Sequence, residues 1–125
     1  MKENEVMLGD WVQFGGTIRQ IQSLEYDADG KCWFYSELDQ SWCSLEQHEP
    51  IPLTPEILEK NGFERDFEDG SLIWVDERDV TEVVWGGTIL TIHGENGHLE
   101  LDTCMYVHEL QHALRLCGIE KEIVL

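Results

Sequence analysis

Turn-forming residues interrupt this chain at intervals too short for most of it to be helical. Gly15-Gly16, Asp27-Ala28-Asp29-Gly30, Glu68-Asp69-Gly70, Gly86-Gly87 and Glu95-Asn96-Gly97 each sit between short apolar stretches. Gly, Asn and Asp tolerate positive φ, the backbone state that tight hairpins need. The stretches between them are rich in Trp, Tyr, Val, Ile and Thr and often alternate polar with apolar residues, as half-buried strands do. Strands are therefore predicted over 8–14, 17–25, 32–38 and 42–46, and again over 63–67, 71–75, 81–85, 88–92 and 98–102. Residues 76–79 read as a charged turn. The pair Gly86-Gly87 fits either a hairpin or a bulge in one bent strand.

Two segments read as helix. Thr54 is placed to cap a short one, with Pro55 at its first position and Gly62 just past its end. So short a helix depends on tertiary contacts, and it is expected to anchor the two halves to each other. Residues 50–53, with two prolines, are extended. Thr103 is placed to cap a longer helix that stops at Gly118, with Tyr106, Val107, Leu110, Ala113, Leu114 and Cys117 on one arc. Residues 119–125 could add a last strand. The expected class is α+β. A small SH3-like antiparallel β unit occupies 1–53. An α+β unit occupies 54–125, with the short linking helix and an antiparallel sheet packed by the C-terminal helix. Aromatic residues of the first unit can either fill its core or form a groove.

The longer helix carries His108-Glu109-Leu110-Gln111-His112, which matches the H-E-x-x-H zinc-peptidase pattern. Two imidazoles four residues apart can share one Zn²⁺, with the intervening Glu as general base on a bound water. A catalytic site needs a third protein ligand. Downstream, the side-chain carboxylates are Glu120 and Glu122, both just past the helix stop. The longer H-E-x-x-H-x-x-G-x-x-H form fails at Arg115 and Gly118. At about 100° per residue His108, His112 and Arg115 fall opposite the apolar arc and are expected to face solvent. Metal ligands His108 and His112 with base Glu109 thus form the alternative reading, a zinc-dependent hydrolase. The preferred reading is non-enzymatic, with no catalytic residue, metal or cofactor.

Tyr106-Val107-His108-Glu109-Leu110-Gln111-His112, with Leu114 and Gly118-Ile119-Glu120, resembles the closing segment of small phage-associated proteins of Bacteroidetes. Their pattern is a Tyr-Val-His-x-Leu-Gln helix, a Gly and an acidic strand. Pro50-Ile51-Pro52-Leu53-Thr54, Asn61-Gly62-Phe63 and Gly9-Asp10-Trp11-Val12 also resemble that group. The resemblance implies a helix selected for packing and assigns no activity.

Charge narrows the partners. Twenty-six acidic residues against eight basic ones give a formal net charge of −18 over 125 residues. Such a surface repels phosphate backbones and anionic membranes, so direct nucleic-acid or membrane binding is not expected. The leading expectation is a non-catalytic protein-interaction module of phage or mobile-element type, working through its acidic surface on a partner protein with a basic surface. A DNA mimic blocking a nucleic-acid-binding protein is a further alternative. At 42% hydrophobic residues the chain can build a core. Residues 1–5 are polar with no apolar segment following, and no apolar run has membrane-spanning length, so a cytoplasmic location is expected. Cys32, Cys43, Cys104 and Cys117 form no C-x-x-C pair and are expected to be reduced packing residues. Residues 27–38 lack the bidentate Glu of an EF-hand. Pairings of Cys104 with His108, or of His93 with His98 across the Asn-Gly turn, are spatially feasible. The tetrapeptide Gly-Gly-Thr-Ile occurs at 15–18 and 86–89, but its flanks do not align, so duplication is not expected. The oligomeric state is left open.

Overall fold

The computed structural model describes residues 1–76, 78, 81–94 and 97–125. The fold is mixed α+β, with antiparallel sheets and few helices. The chain divides into two compact units, Met1–Ile51 and Pro52–Leu125, beside the 53/54 boundary expected from sequence.

In the first unit, β1 (Trp11–Phe14), β2 (Thr17–Gln20) and β6 (Glu49–Pro50) form a sheet of order β2-β1-β6. Strands β3 (Ser23–Tyr26), β4 (Cys32–Ser36) and β5 (Ser41–Ser44) form another, of order β3-β4-β5. Gly15 and Gly16, at φ 60° and 82°, make the two-residue turn that pairs Phe14 with Thr17. Asp27 Oδ1 accepts from the amides of Asp29 and Lys31 and closes the β3–β4 turn. The single strand predicted over 17–25 is two strands in different sheets. Ile21, fully buried, sits at the corner, where its amide bonds the Asp10 carbonyl and its carbonyl accepts from Gly9. Burying Ile21 requires the chain to turn there, which period-two alternation cannot signal. Val6, Val12, Ile21, Cys32, Phe34 and Leu45 are the core.

The second unit opens with α1 (Pro55–Lys60). Thr54 Oγ1 accepts from Ile57 N at 3.3 Å, and Gly62 follows at φ 89°. The helix packs against β7 and β8 of its own unit. Strands β7 (Glu64–Arg65), β8 (Leu72–Asp76), β9 (Thr81–Trp85), β10 (Leu90–Gly94) and β11 (Gly97–Leu101) form one antiparallel sheet in that order. The register puts Leu72, Trp85, Leu90 and Leu101 on the core face, with Val83 and Ile92. Gly86-Gly87 opens a loop between paired strands, closed by Gly86 N to Ile89 O at 2.9 Å. The two Gly-Gly-Thr-Ile copies therefore differ in backbone, a two-residue turn and a longer loop. Residues 95 and 96 of the expected Asn-Gly turn, and 77 and 79 of the charged turn, lie outside the described residues.

Helix α2 (Val107–Leu116) buries Val107, Leu110, Ala113 and Leu114. Two expectations about its ends are corrected. Thr103 does not cap it. Tyr106 holds the N-cap position, because Trp85 Nε1 ties the Cys104 carbonyl at 2.8 Å and Leu53 N ties that of Met105 at 2.8 Å. Those bonds hold 104–105 outside the helix. Residues 119–125 do not form a strand. Side-chain amides hold them instead: Gln111 bonds Lys121 O and Ile123 N (3.0 and 2.7 Å), and Asn61 bonds Val124 O and N (2.9 and 2.8 Å). Side-chain partners have taken the place of a ladder. Among the described residues, no helix is long and apolar enough to cross a membrane.

Candidate functional site

The H-E-x-x-H residues are placed by packing. His108 is buried at 8% exposure, which corrects the expectation that it faces water. The buried part of α2 extends past its apolar stripe to His108 and to Gln111, whose side chain is tied to the 119–125 segment. His108 stacks on the Tyr106 ring, with centroids 5.9 Å apart and planes 19° apart. His112 is half-buried, its ring edge-on to that of His108 at 5.5 Å. Glu109 Oε1 accepts from the amides of Met105 and Tyr106, both at 3.1 Å. The carboxylate is thus occupied at the helix start, in the reciprocal half of a capping box. Glu122, one of the downstream carboxylates, pairs with Arg115 at 3.5 Å. Among the described residues, no group of three His, Cys, Asp or Glu is placed to hold a metal ion. Burial pushes the Cys104 thiol up to about 12, with the Glu109 charge adding to it, so this thiol is not a nucleophile for His108.

The four cysteines are unpaired thiols. Cys32 and Cys104 are core residues and Cys43 is half-buried. Cys117 is exposed at the helix end, a correction to its expected packing role. It follows the last helical residue, where the chain leaves the core face.

A different site emerges in the first unit. A cleft of roughly 630 Å³ is lined by Phe14, Arg19, Lys31, Trp33, His48 and three successive residues at β5, Trp42, Cys43 and Ser44. Successive strand residues point to opposite faces. Three in a row border one cleft only when it runs along the strand's edge. β5 is the edge of its sheet, so the cleft follows a strand with no further partner strand among the described residues. Phe14 and Trp42 remain 51% and 42% exposed beside it. The register pairs Tyr35 with Trp42 and Trp33 with Ser44, placing these aromatic rings on the face opposite buried Phe34.

The floor of the cleft is preorganised. His48 is 4% exposed, and its Nδ1 lies 2.7 Å from Ser44 O. A carbonyl only accepts, so Nδ1 carries the proton and Nε2 is an acceptor. Nε2 faces Arg19 Nη1 at 3.4 Å. Asp39 holds that guanidinium at 2.6 and 3.3 Å through both carboxylate oxygens. Phe34 meets the imidazole edge-on at 4.8 Å and Phe14 lies 5.5 Å away. The hydrogen bond from Arg19 holds the Asp39 carboxyl below the usual range. Cys43 Sγ lies 3.6 Å from Asp39 Oδ2. Burial, then the Asp39 charge, pushes its thiol up, so it stays protonated at neutral pH. Cys43, His48 and Asp39 therefore do not form a thiolate–imidazole pair. The arrangement suits binding.

Burial lowers the His48 pKa below its ordinary value. The Ser44 carbonyl opposes this, the Arg19 cation and the amino terminus add to it, and Asp39 opposes it again. The folded unit then binds fewer protons than the unfolded chain at mildly acidic pH. Its stabilising contribution is complete above the ordinary histidine value of about 6.5 and falls as pH drops through it toward the lowered folded value. We expect the first unit's denaturation midpoint to fall between about pH 7 and pH 5. A His48→Gln variant, followed in urea at each pH, should flatten that slope.

The chain matches no family model, no curated protein and no solved structure. The site is therefore argued from its geometry. Phe14, Arg19, Trp42 and His48 were not singled out from sequence. The available signal was the alternation Trp33-Phe34-Tyr35, which sends aromatic rings to both faces of one strand.

Proposed function

We propose that this protein is a non-catalytic interaction module that takes an extended, basic segment of a partner protein by strand addition to β5. One observation carries the reading: the cleft follows the open edge of β5, between Phe14 and Trp42. On β5 the outward main-chain groups are those of Trp42 and Ser44. His48 already holds the Ser44 carbonyl, so the edge offers an added strand the Ser44 amide and the main chain of Trp42, and pockets beside it select alternate side chains. Large exposed rings are the usual energetic anchors of such contacts.

The charge of the segment follows from the rest of the chain. Arg19 is neutralised by Asp39 and Lys31 lies within the field of Asp27, while the whole chain carries −18. The long-range field therefore steers cations toward it. Once docked, Lys or Arg stems lie along Trp and Phe faces, with their charge over the rings. The DNA-mimic alternative draws on net charge alone, and no feature of the cleft favours it.

Selection from a library of displayed random peptides tests the reading. The expected winners are extended sequences bearing Lys or Arg, bound with micromolar affinity that weakens with salt. Trp42→Ala should weaken them by about thirtyfold, the loss of a buried aromatic anchor. Its thermal midpoint should stay within a few degrees of the parent. Winners that bind Trp42→Ala and Phe14→Ala as well as the parent would remove the cleft from the account. Duplex DNA in the same assay should not bind.

A further inference from the structure

On the face of the five-stranded sheet opposite the core, β10 and β11 set His93 directly across from His98. Both rings are exposed. Their Nδ1 atoms lie 3.1 Å apart and their centroids 4.6 Å apart. On the other side of β10, Glu82 of β9 stands across from His93 in the register. Glu100, two residues from His98 on the same face, places a carboxylate oxygen 3.7 Å from His98 Nε2. We propose that the two Nδ1 atoms form a binding site for a divalent late transition-metal ion, Zn²⁺ or Cu²⁺.

The spacing is the first argument. Two nitrogens bound at about 2.0–2.1 Å are about 3.3 Å apart around a tetrahedral ion. They are about 2.9 Å apart as neighbours in a square plane. The observed 3.1 Å lies between these values, so either ion fits with a small ring rotation. The tautomer is the second argument. The Glu100 carboxylate lies 3.7 Å from His98 Nε2, just beyond hydrogen-bond distance; closing that gap holds the proton on Nε2 and leaves Nδ1 as a lone pair turned toward His93. At this spacing only one proton fits between the two Nδ1 atoms, and a metal ion replaces it. Carboxylate–imidazole–metal is the usual outer support of such ligands. The third argument is the donor set. Imidazole nitrogens select Zn²⁺ and Cu²⁺ over Mg²⁺ and Ca²⁺, which prefer oxygen.

Among the described residues no third donor already joins the pair. A side-chain rotation at Glu82, or solvent, completes the coordination. The affinity is therefore micromolar and below that of a closed structural zinc site. Bound metal ties β10 to β11 and raises the melting temperature by mass action. The inference is independent of the β5 cleft, which lies in the other unit.

The test is calorimetric titration of the chelator-treated full chain with ZnCl₂ and, separately, CuCl₂, in excess Mg²⁺ to occupy surface carboxylates. One equivalent should bind with micromolar affinity. Binding should be lost in His93→Ala and in His98→Ala, and weakened about tenfold in Glu100→Gln. It should be unchanged in His112→Ala. On the unaltered protein, ¹⁵N spectra of the imidazoles should show Zn²⁺ shifting Nδ1 of His93 and His98. The absence of saturable binding would overturn the proposal. So would persistence in the His93→Ala/His98→Ala double variant, loss in His112→Ala, or shifts confined to other histidines.

Discussion

Phe34→Ala is expected to remove about 3–5 kcal/mol of stability from the first unit. Phe34 is fully buried at the centre of β4, across from Leu24 and Cys43, and its ring meets His48 edge-on. Truncation loses the transfer energy of the ring and leaves a cavity in a core whose buried members are few. A unit of this size has a small margin, so the loss is a large fraction of its stability. Phe34→Leu should cost less, since it fills most of the volume. Indole resonances separate the units in a urea titration, because Trp33 and Trp42 belong to the first and Trp74 and Trp85 to the second. The first pair should report a midpoint shifted far more than the second. Equal shifts in both would mean that the units unfold as one.

Gln111→Ala carries the next largest expected effect, about 2–4 kcal/mol. The Gln111 side chain is 3% exposed and spans two backbone groups, accepting from Ile123 N at 2.7 Å and donating to Lys121 O at 3.0 Å. Alanine removes both bonds while the backbone groups stay near the core, and that desolvation penalty dominates. Leucine should not rescue, since it restores volume without a donor or acceptor. Glutamate should rescue in part, because it keeps the acceptor for Ile123 and loses the donor to Lys121. Hydrogen exchange at the Ile123 amide is the direct readout and should accelerate in the alanine and leucine variants. Unchanged protection at Ile123 would show that Asn61, at Val124, holds the tail alone.

Local chemistry made much of this fold legible. Thr54, Pro55 and Gly62 bound α1 because a cap, a fixed φ and a positive φ each act within one turn of the chain. Gly15-Gly16 and the Asp27 turn are legible for the same reason. Features set by distant residues were not. The corner at Ile21 depends on Asp10 and Gly9, and the start of α2 depends on Trp85 and Leu53. His108 and Gln111 are buried although they lie outside the apolar stripe, and Gln111 is held by residues 121 and 123, contacts that a helical wheel does not carry. The cleft combines Phe14 and Arg19 with β5. They belong to different sheets and meet through side chains, Phe14 and Phe34 on His48 and Arg19 on Asp39, which no local pattern encodes.

Hydrogen exchange at β5, with and without a selected basic peptide, tests the proposed docking most directly. If the peptide adds as a strand, the amides of Trp42 and Ser44, which the register turns away from β4, gain main-chain partners and their exchange slows on binding. The account predicts that slowing, together with perturbed Trp42 and Phe14 signals. A peptide that saturates the protein while leaving the Trp42 and Ser44 amides exchanging at their free rate would contradict it.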